Sequence, residues 1–348
     1  MSSLVIQTAF LGDVVLTTPL LAALAARHGP VDVVTTPAAA PLVETHPAVR
    51  RVVAYDKRGR DRGWAGLRDL GRRLRAERYE RAYLPHRSLR TAVLALLARI
   101  PARIGFHDGW PFFYTEVRRH PPEGHEVDRL LALAEQPSGA YAPSLHPTAD
   151  DARVAGELLS AAGIEEGAPF VAVAPGSIWG SKRWPYYGAL ARRLAGALPV
   201  VVVGGPEDAG LGEEIVGAVE GGRERSKAVN ACGKLTLRQS AALIGRAALL
   251  VTNDSAPLHV ATAMGTPIVA VFGPTLPEFG FGPIRPGDVA LGVAGLDCRP
   301  CSRHGPPRCP LGHHRCMRDL TAEVVAAAID DIRESGKIGE AGAIHRRD

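Results

Sequence analysis

Leu4-Val5-Ile6-Gln7-Thr8-Ala9-Phe10-Leu11-Gly12-Asp13-Val14-Val15-Leu16-Thr17-Thr18-Pro19 decides how the chain is read. An apolar run of strand length, 4–8, gives way through a short loop to a helical pattern over about 14–28, and a glycine and a carboxylate stand at the junction. The same step recurs downstream. Residues 31–36 read as a second strand, a turn at 46–49 leads into a third, a helix is predicted over 64–77, a strand at 81–84 and helical spacing at 91–98. No hairpin interrupts this alternation, which predicts an α/β fold with a parallel sheet covered on both faces.

The Pro-Ser-Gly-rich stretch at 137–147 reads as an interdomain linker. Beyond it the alternation restarts: a helix over 148–162, strands at 170–173, 198–203, 249–252 and 268–272, and a last helix near 322–335. We therefore expect one domain over 1–150, a second over 151–335, a cleft between them and a disordered tail at 336–348.

With 348 residues and 46% hydrophobic content, the chain is long enough for two ordinary soluble domains. No basic leader precedes the first strand, and the apolar stretches are broken by charge or proline well short of a membrane span. A cytoplasmic protein with its five cysteines reduced is expected. The net charge of +5 is uneven: residues 50–90 hold fourteen Lys and Arg against five acids. Such a stretch suits anionic lipid, nucleic acid or a phosphorylated acceptor, while a solvated helix face accounts for it equally. The scarcity of interleaved aromatics argues against single-stranded nucleic acid.

Several strand-to-helix junctions carry chemistry. Asp13 follows Gly12 at the first of them; from position alone an N-cap explains it, and a general base would occupy the same place. Pro175-Gly176-Ser177-Ile178-Trp179-Gly180-Ser181-Lys182-Arg183-Trp184-Pro185 empties a strand into a Gly/Ser loop, with Pro185 expected in the first turn of a helix. Ser177, Ser181 and Lys182 there suit an anion, although the Walker A spacing is absent. Gly204-Gly205-Pro206-Glu207-Asp208 places acids that suit ribose hydroxyls or a helix dipole. Asn253-Asp254-Ser255-Ala256-Pro257 opens another helix, in which His259 reads as a semi-buried histidine, and Gly273-Pro274-Thr275 follows the next strand. Cys298, Cys301, Cys309 and Cys316, with His313 and His314 among them, resemble a metal cluster without matching a zinc ribbon or finger, and a disulfide or redox loop and an unligated loop are the alternatives. Cys232 reads as core.

Taken together, Gly12 to Pro19, Lys182-Arg183-Trp184-Pro185, Asn253-Asp254-Ser255 through His259 and Gly273-Pro274-Thr275 resemble glycosyltransferase family 9, the bacterial lipopolysaccharide heptosyltransferases. Cys309-Pro310-Leu311-Gly312-His313-His314-Arg315-Cys316-Met317 is similar to the heptosyltransferase II branch. The resemblance spans about 3–330. It implies a GT-B fold, two Rossmann-like doubly wound domains around a deep cleft, and an inverting, metal-independent, cofactor-free transfer from ADP-heptose to the inner core of lipopolysaccharide. Carried over by residue, Asp13 matches the catalytic base, Lys182 the phosphate-binding lysine, Glu207 the ribose-binding acid, and Asp254 with Ser255 the phosphate loop, beside Ser177, Ser181, Gly273 and Pro274. Gly12, Arg87 and Arg90 are the acceptor candidates on the lipid A side, and a peripheral contact with the inner face of an anionic membrane follows. One departure is Ala256-Pro257, where many relatives have glycine after the Asp-Ser/Thr pair. The rival readings are a transferase or epimerase on the same fold using another nucleotide sugar, and a non-catalytic metal-bearing binding protein.

Overall fold

Short Val- and Leu-rich runs, several of them buried along their whole length, form strands of the two sheets, as expected where helices cover both faces of a parallel sheet. The computed structural model describes residues 2–220 and 227–334, so the tail expected at 336–348 lies outside the described residues. Contacts divide the chain into two units, Met1–His146 and Pro147–Asp348, and each is described by itself.

The first unit runs β1 (Ser3–Ile6), α1 (Leu11–His28), β2 (Val31–Thr35), α2 (Ala40–Val43), β3 (Val49–Ala54), α3 (Gly63–Ala76), β4 (Arg81–Leu84), α4 (Leu89–Leu97), β5 (Ala102–Phe106), β6 (Glu116–Arg118) and α5 (Glu126–Leu131). The second runs α6 (Ala149–Ala161), β7 (Val171–Ala174), α7 (Tyr187–Leu194), β8 (Val200–Val202), α8 (Ala209–Glu220), β9 (Ala228–Asn230), α9 (Leu237–Arg246), β10 (Leu249–Asn253), α10 (Ala256–Met264), β11 (Ile268–Val271), β12 (Val289–Leu291), α11 (Arg315–Arg318) and α12 (Ala322–Glu334).

Both sheets are six-stranded and parallel, in the orders β3-β2-β1-β4-β5-β6 and β12-β11-β10-β7-β8-β9. Read from the far edge, the second order repeats the first. Each sheet therefore reverses its winding once, between β1 and β4 and between β7 and β10, and the loops at the carboxyl ends of those strands are where open α/β sheets bind ligands. The α/β parallel-sheet expectation is borne out. Two expected starts are corrected. Helix α1 begins at Leu11 rather than near residue 14, because Phe10 supplies the extended cap residue and Asp13 bonds back to it. Trp184 and Pro185 precede α7 instead of opening it; Lys182 ends a 3₁₀ turn, Gly180–Lys182, and Arg183 is extended.

Part of the basic stretch is structural. Asp32, buried in β2, receives Arg50 Nε at 2.8 Å, Arg51 at 3.0 Å and the Tyr79 hydroxyl at 2.5 Å. Burial alone would raise this carboxyl; the bonds from Arg50 and Tyr79 outweigh it and hold the group below the usual carboxylate range. In α3, Leu67, Leu70 and Leu74 are buried at helical spacing and the arginines lie on the other face. Among the described residues no helix is long and apolar enough to cross a membrane.

Candidate active site

In the first unit the site grows from the β1–α1 loop. Gln7 braces it, donating to Thr17 Oγ1 (3.1 Å) and accepting from Ala9 N (3.2 Å). Pro19 lies inside α1 and has no N–H for the Val15 carbonyl, and the Thr18 hydroxyl donates to that carbonyl at 2.7 Å instead. The Thr-Thr-Pro run therefore keeps α1 continuous beneath its first turn. Asp13 is the third residue of α1; its Oδ2 accepts from Phe10 N at 3.1 Å, and Gly12 beside it is buried. Removal from water, reinforced by the charge of Glu126, outweighs that hydrogen bond and the charge of Arg87, raising the Asp13 carboxyl to about 6. A carboxylate so placed takes a proton near neutral pH.

The β4–α4 loop, across the switch point, brings His86 Nδ1 to 3.1 Å from Thr8 Oγ1, while Lys57 Nζ donates to Thr8 O at 2.6 Å. Desolvation, with Lys57 and Arg87 nearby, lowers His86 to about 4, so it is neutral at pH 7. Arg87 pairs with Asp108, which also faces His120 Nδ1 at 3.2 Å, and Arg90 donates to the Tyr55 hydroxyl at 3.1 Å. The unit thus joins Asp13 and Arg87 in one electrostatic neighbourhood with Glu126, which pattern alone did not single out.

In the second unit, the β7 and β10 loops are tied by Asn253. Its Nδ2 donates to Pro175 O at 2.8 Å, and its Oδ1 accepts from Trp184 N and the Tyr187 hydroxyl, each at 3.2 Å. Lys182 Nζ is 2.6 Å from Asp254 Oδ2, and the buried Thr275 hydroxyl donates to the same oxygen at 2.6 Å. Ser255 occupies the N-cap position of α10 without a capping bond from its side chain, its hydroxyl 3.4 Å from Thr252 Oγ1. Ser177 accepts from Trp179 N at 3.2 Å. His259 is buried and edge-on to Phe281.

The segment from Cys298 to Cys316 forms a wall of this corner. Ser181 Oγ donates to Pro306 O, His314 Nε2 lies 2.7 Å from Ser181 O, and Cys301 N donates to Pro274 O at 2.9 Å. Pro307 O comes within 2.6 Å of where a Gly180 Cβ would stand, so Gly180 is the residue that admits this wall. Gly176 likewise admits the Asp208 carboxylate, whose Oδ2 accepts from Gly205 N at 3.1 Å, while Glu207 folds over Gly205. His304 lies near the charges of Lys182 and Asp254. In this unit sequence reasoning does not name Thr275 or His304 as site residues, and it reads this wall as a candidate metal cluster and branch motif rather than as part of the anion corner. All five cysteines are free thiols; Cys298 Sγ is 4.0 Å from His313 Nε2, and Cys309 Sγ accepts from His314 N at 3.4 Å. Among the described residues no group of three or more His, Cys, Asp or Glu side chains is arranged to hold a metal ion. Cys232 is buried, as a core residue would be.

Asn253 yields a stability prediction. Asn253→Ala strands three buried polar groups, and an unmatched buried group costs about 1–3 kcal/mol. We expect a lower urea midpoint with an unchanged slope, read by fluorescence; a midpoint equal to wild type would show that the loops do not depend on this side chain.

The sequence model of glycosyltransferase family 9 (heptosyltransferase) matches residues 67–309. The lipopolysaccharide heptosyltransferase 2 of Salmonella typhimurium is 27% identical over 329 residues, covering 84% of this chain and 92% of that protein. The solved structure of E. coli ADP-heptose LPS heptosyltransferase II is similar with a TM-score of 0.79 and 26% identity, over 97% of this chain and 100% of that one. A family 9 glycosyl transferase from Veillonella parvula shares the fold, with a TM-score of 0.83 at 24% identity, over 96% and 97% of the two chains.

Proposed function

The chain belongs to glycosyltransferase family 9, the heptosyltransferases, and from that premise we propose that it moves heptose from ADP-heptose onto the inner core of lipopolysaccharide by a single, inverting displacement. Asp13 takes the proton of the acceptor hydroxyl. Lys182, with the amides at the start of α10, meets the charge that develops on the departing ADP, so that no metal is needed for that step. Glu207 reads the ribose, Asp254 and Ser255 complete the diphosphate corner with Ser177, Ser181, Gly273 and Pro274, and Gly12, Arg87 and Arg90 face the acceptor. The enzyme works in the cytoplasm, at the inner face of the membrane that bears its acceptor.

The observation that carries this reading is the Asp13 carboxyl: set at the carboxyl end of β1, anchored by Phe10 N, and raised to about 6. A displacement at an anomeric carbon needs such a base because a sugar hydroxyl is a poor nucleophile. The test is ADP release from ADP-heptose with heptose-free and mono-heptosylated core acceptors. Turnover that needs an acceptor supports the reading, and preference for the mono-heptosylated acceptor places the chain in the heptosyltransferase II branch. ADP binding without turnover on either acceptor overturns the substrate assignment.

The proposal fixes a pH profile. A base must be unprotonated, so kcat/KM rises about tenfold per pH unit below about 6 and levels above it. Glu126→Gln removes a charge that raises Asp13, and the midpoint moves to lower pH. A profile flat between pH 5 and pH 7 would remove Asp13 from the role.

A further inference from the structure

Between β5 and β6 the first unit holds out an aromatic turn, Trp110-Pro111-Phe112-Phe113. Phe113 is partly buried against the core together with Val93 and Leu97 of α4, and it anchors the turn. Phe112, edge-on to Phe113 with ring centroids 5.7 Å apart, is 94% exposed, and Trp110 is 42% exposed. The neighbouring helix continues the surface. Leu89 and Leu96 of α4 are 40% and 44% exposed, and with the partly exposed Val93 they follow the i, i+4, i+7 spacing of one helix stripe.

An apolar surface of this kind on a globular unit marks a contact surface. Its surroundings say which kind. Helix α3, packed beside α4, presents exposed Arg68, Arg72, Arg73 and Arg75 against one acid, Asp69. Arg99, just past α4, and Arg119, just past β6, are exposed as well. Apolar and aromatic side chains with exposed arginines on the adjoining elements match a bilayer interface, where Trp and Phe enter the headgroup boundary and cations meet anionic lipid.

We infer that the Trp110–Phe112 turn and the Leu89–Val93–Leu96 stripe of α4 form the surface by which this chain docks on an anionic lipid bilayer. The inference takes from the proposed function only that the acceptor is lipid-borne; the surface itself rests on exposure and charge.

The experiment is cosedimentation of the full chain with vesicles of phosphatidylethanolamine and phosphatidylglycerol, beside vesicles of phosphatidylcholine alone, for wild type and for Trp110→Ser/Phe112→Ser. Wild type should bind the anionic vesicles and lose most of that binding at high salt. The double variant should bind at least tenfold more weakly, with unchanged turnover on a deacylated, soluble core acceptor and reduced turnover on the lipid-borne one. Equal vesicle binding by variant and wild type overturns the inference, as does wild type that ignores anionic vesicles. A wild-type dimer by light scattering that the variant converts to monomer overturns it in favour of a second copy on this surface. Failure of the proposed function appears separately, as no turnover on either acceptor with vesicle binding intact.

Discussion

Replacing Asp13 by alanine lowers turnover by about 10²–10⁴-fold, the usual worth of a positioned general base, and leaves ADP affinity unchanged. Calorimetry with ADP and an ADP-release assay separate the two quantities. Alanine also removes the acceptor for Phe10 N in the first turn of α1, and loss of such an end contact typically costs about 1 kcal/mol of stability. Asp13→Asn resolves the ambiguity. Its amide oxygen can still accept from Phe10 N while the side chain no longer takes a proton. If the carboxylate is a base, Asn is as inactive as Ala and as stable as wild type. If it only caps α1, Asn is active. Near wild-type turnover in Asp13→Asn therefore ends the assignment, and the cap becomes the whole role of the residue.

The ambiguity is the one the sequence presents at this position, and it shows what pattern can reach. The strand-to-helix alternation and the absence of hairpins are local, and they lead to parallel sheets flanked by helices. Thr17-Thr18-Pro19 is local too: a hydroxyl one residue before a proline within a helix signals a carbonyl needing a donor. Glu126 is different. It lies more than a hundred residues from Asp13, in a six-residue helix, and only the packing of α5 on α1 brings its charge to bear. Thr275 is visible in Gly273-Pro274-Thr275, but its bond to Asp254 depends on β11 lying beside β10. The start of α7 departs from its expected place for a related reason. Proline in a first turn is a sound local rule, yet Asn253 takes the Trp184 N–H from outside the segment and holds that backbone apart from the helix.

Lys182→Ala is expected to lower turnover by about 10²–10³-fold, the loss seen when one preorganised donor to a developing anion is removed, and to weaken ADP binding. Two physical accounts give that result. In the first, the ammonium contacts the diphosphate and its charge counts most as the bond to the sugar breaks. In the second, Lys182 only neutralises Asp254, whose Oδ2 it meets at 2.6 Å; without it a carboxylate that still accepts from the Thr275 hydroxyl stands where a diphosphate must bind. The double variant Lys182→Ala/Asp254→Asn distinguishes them, because it removes the stranded charge together with the cation. If neutralisation is the role, ADP affinity and turnover both recover toward those of Asp254→Asn alone. If Lys182 acts on the phosphates, ADP affinity recovers in part and turnover does not, since nothing replaces the cation as charge develops on the departing ADP. Both side chains are largely buried, so each variant also needs a urea midpoint; a buried ion pair broken on one side typically costs about 3–5 kcal/mol. Turnover restored in the double variant would leave the helix-end amides at Ser255 and Ala256 as the groups that stabilise the leaving ADP, and Lys182 as their counter-ion to Asp254.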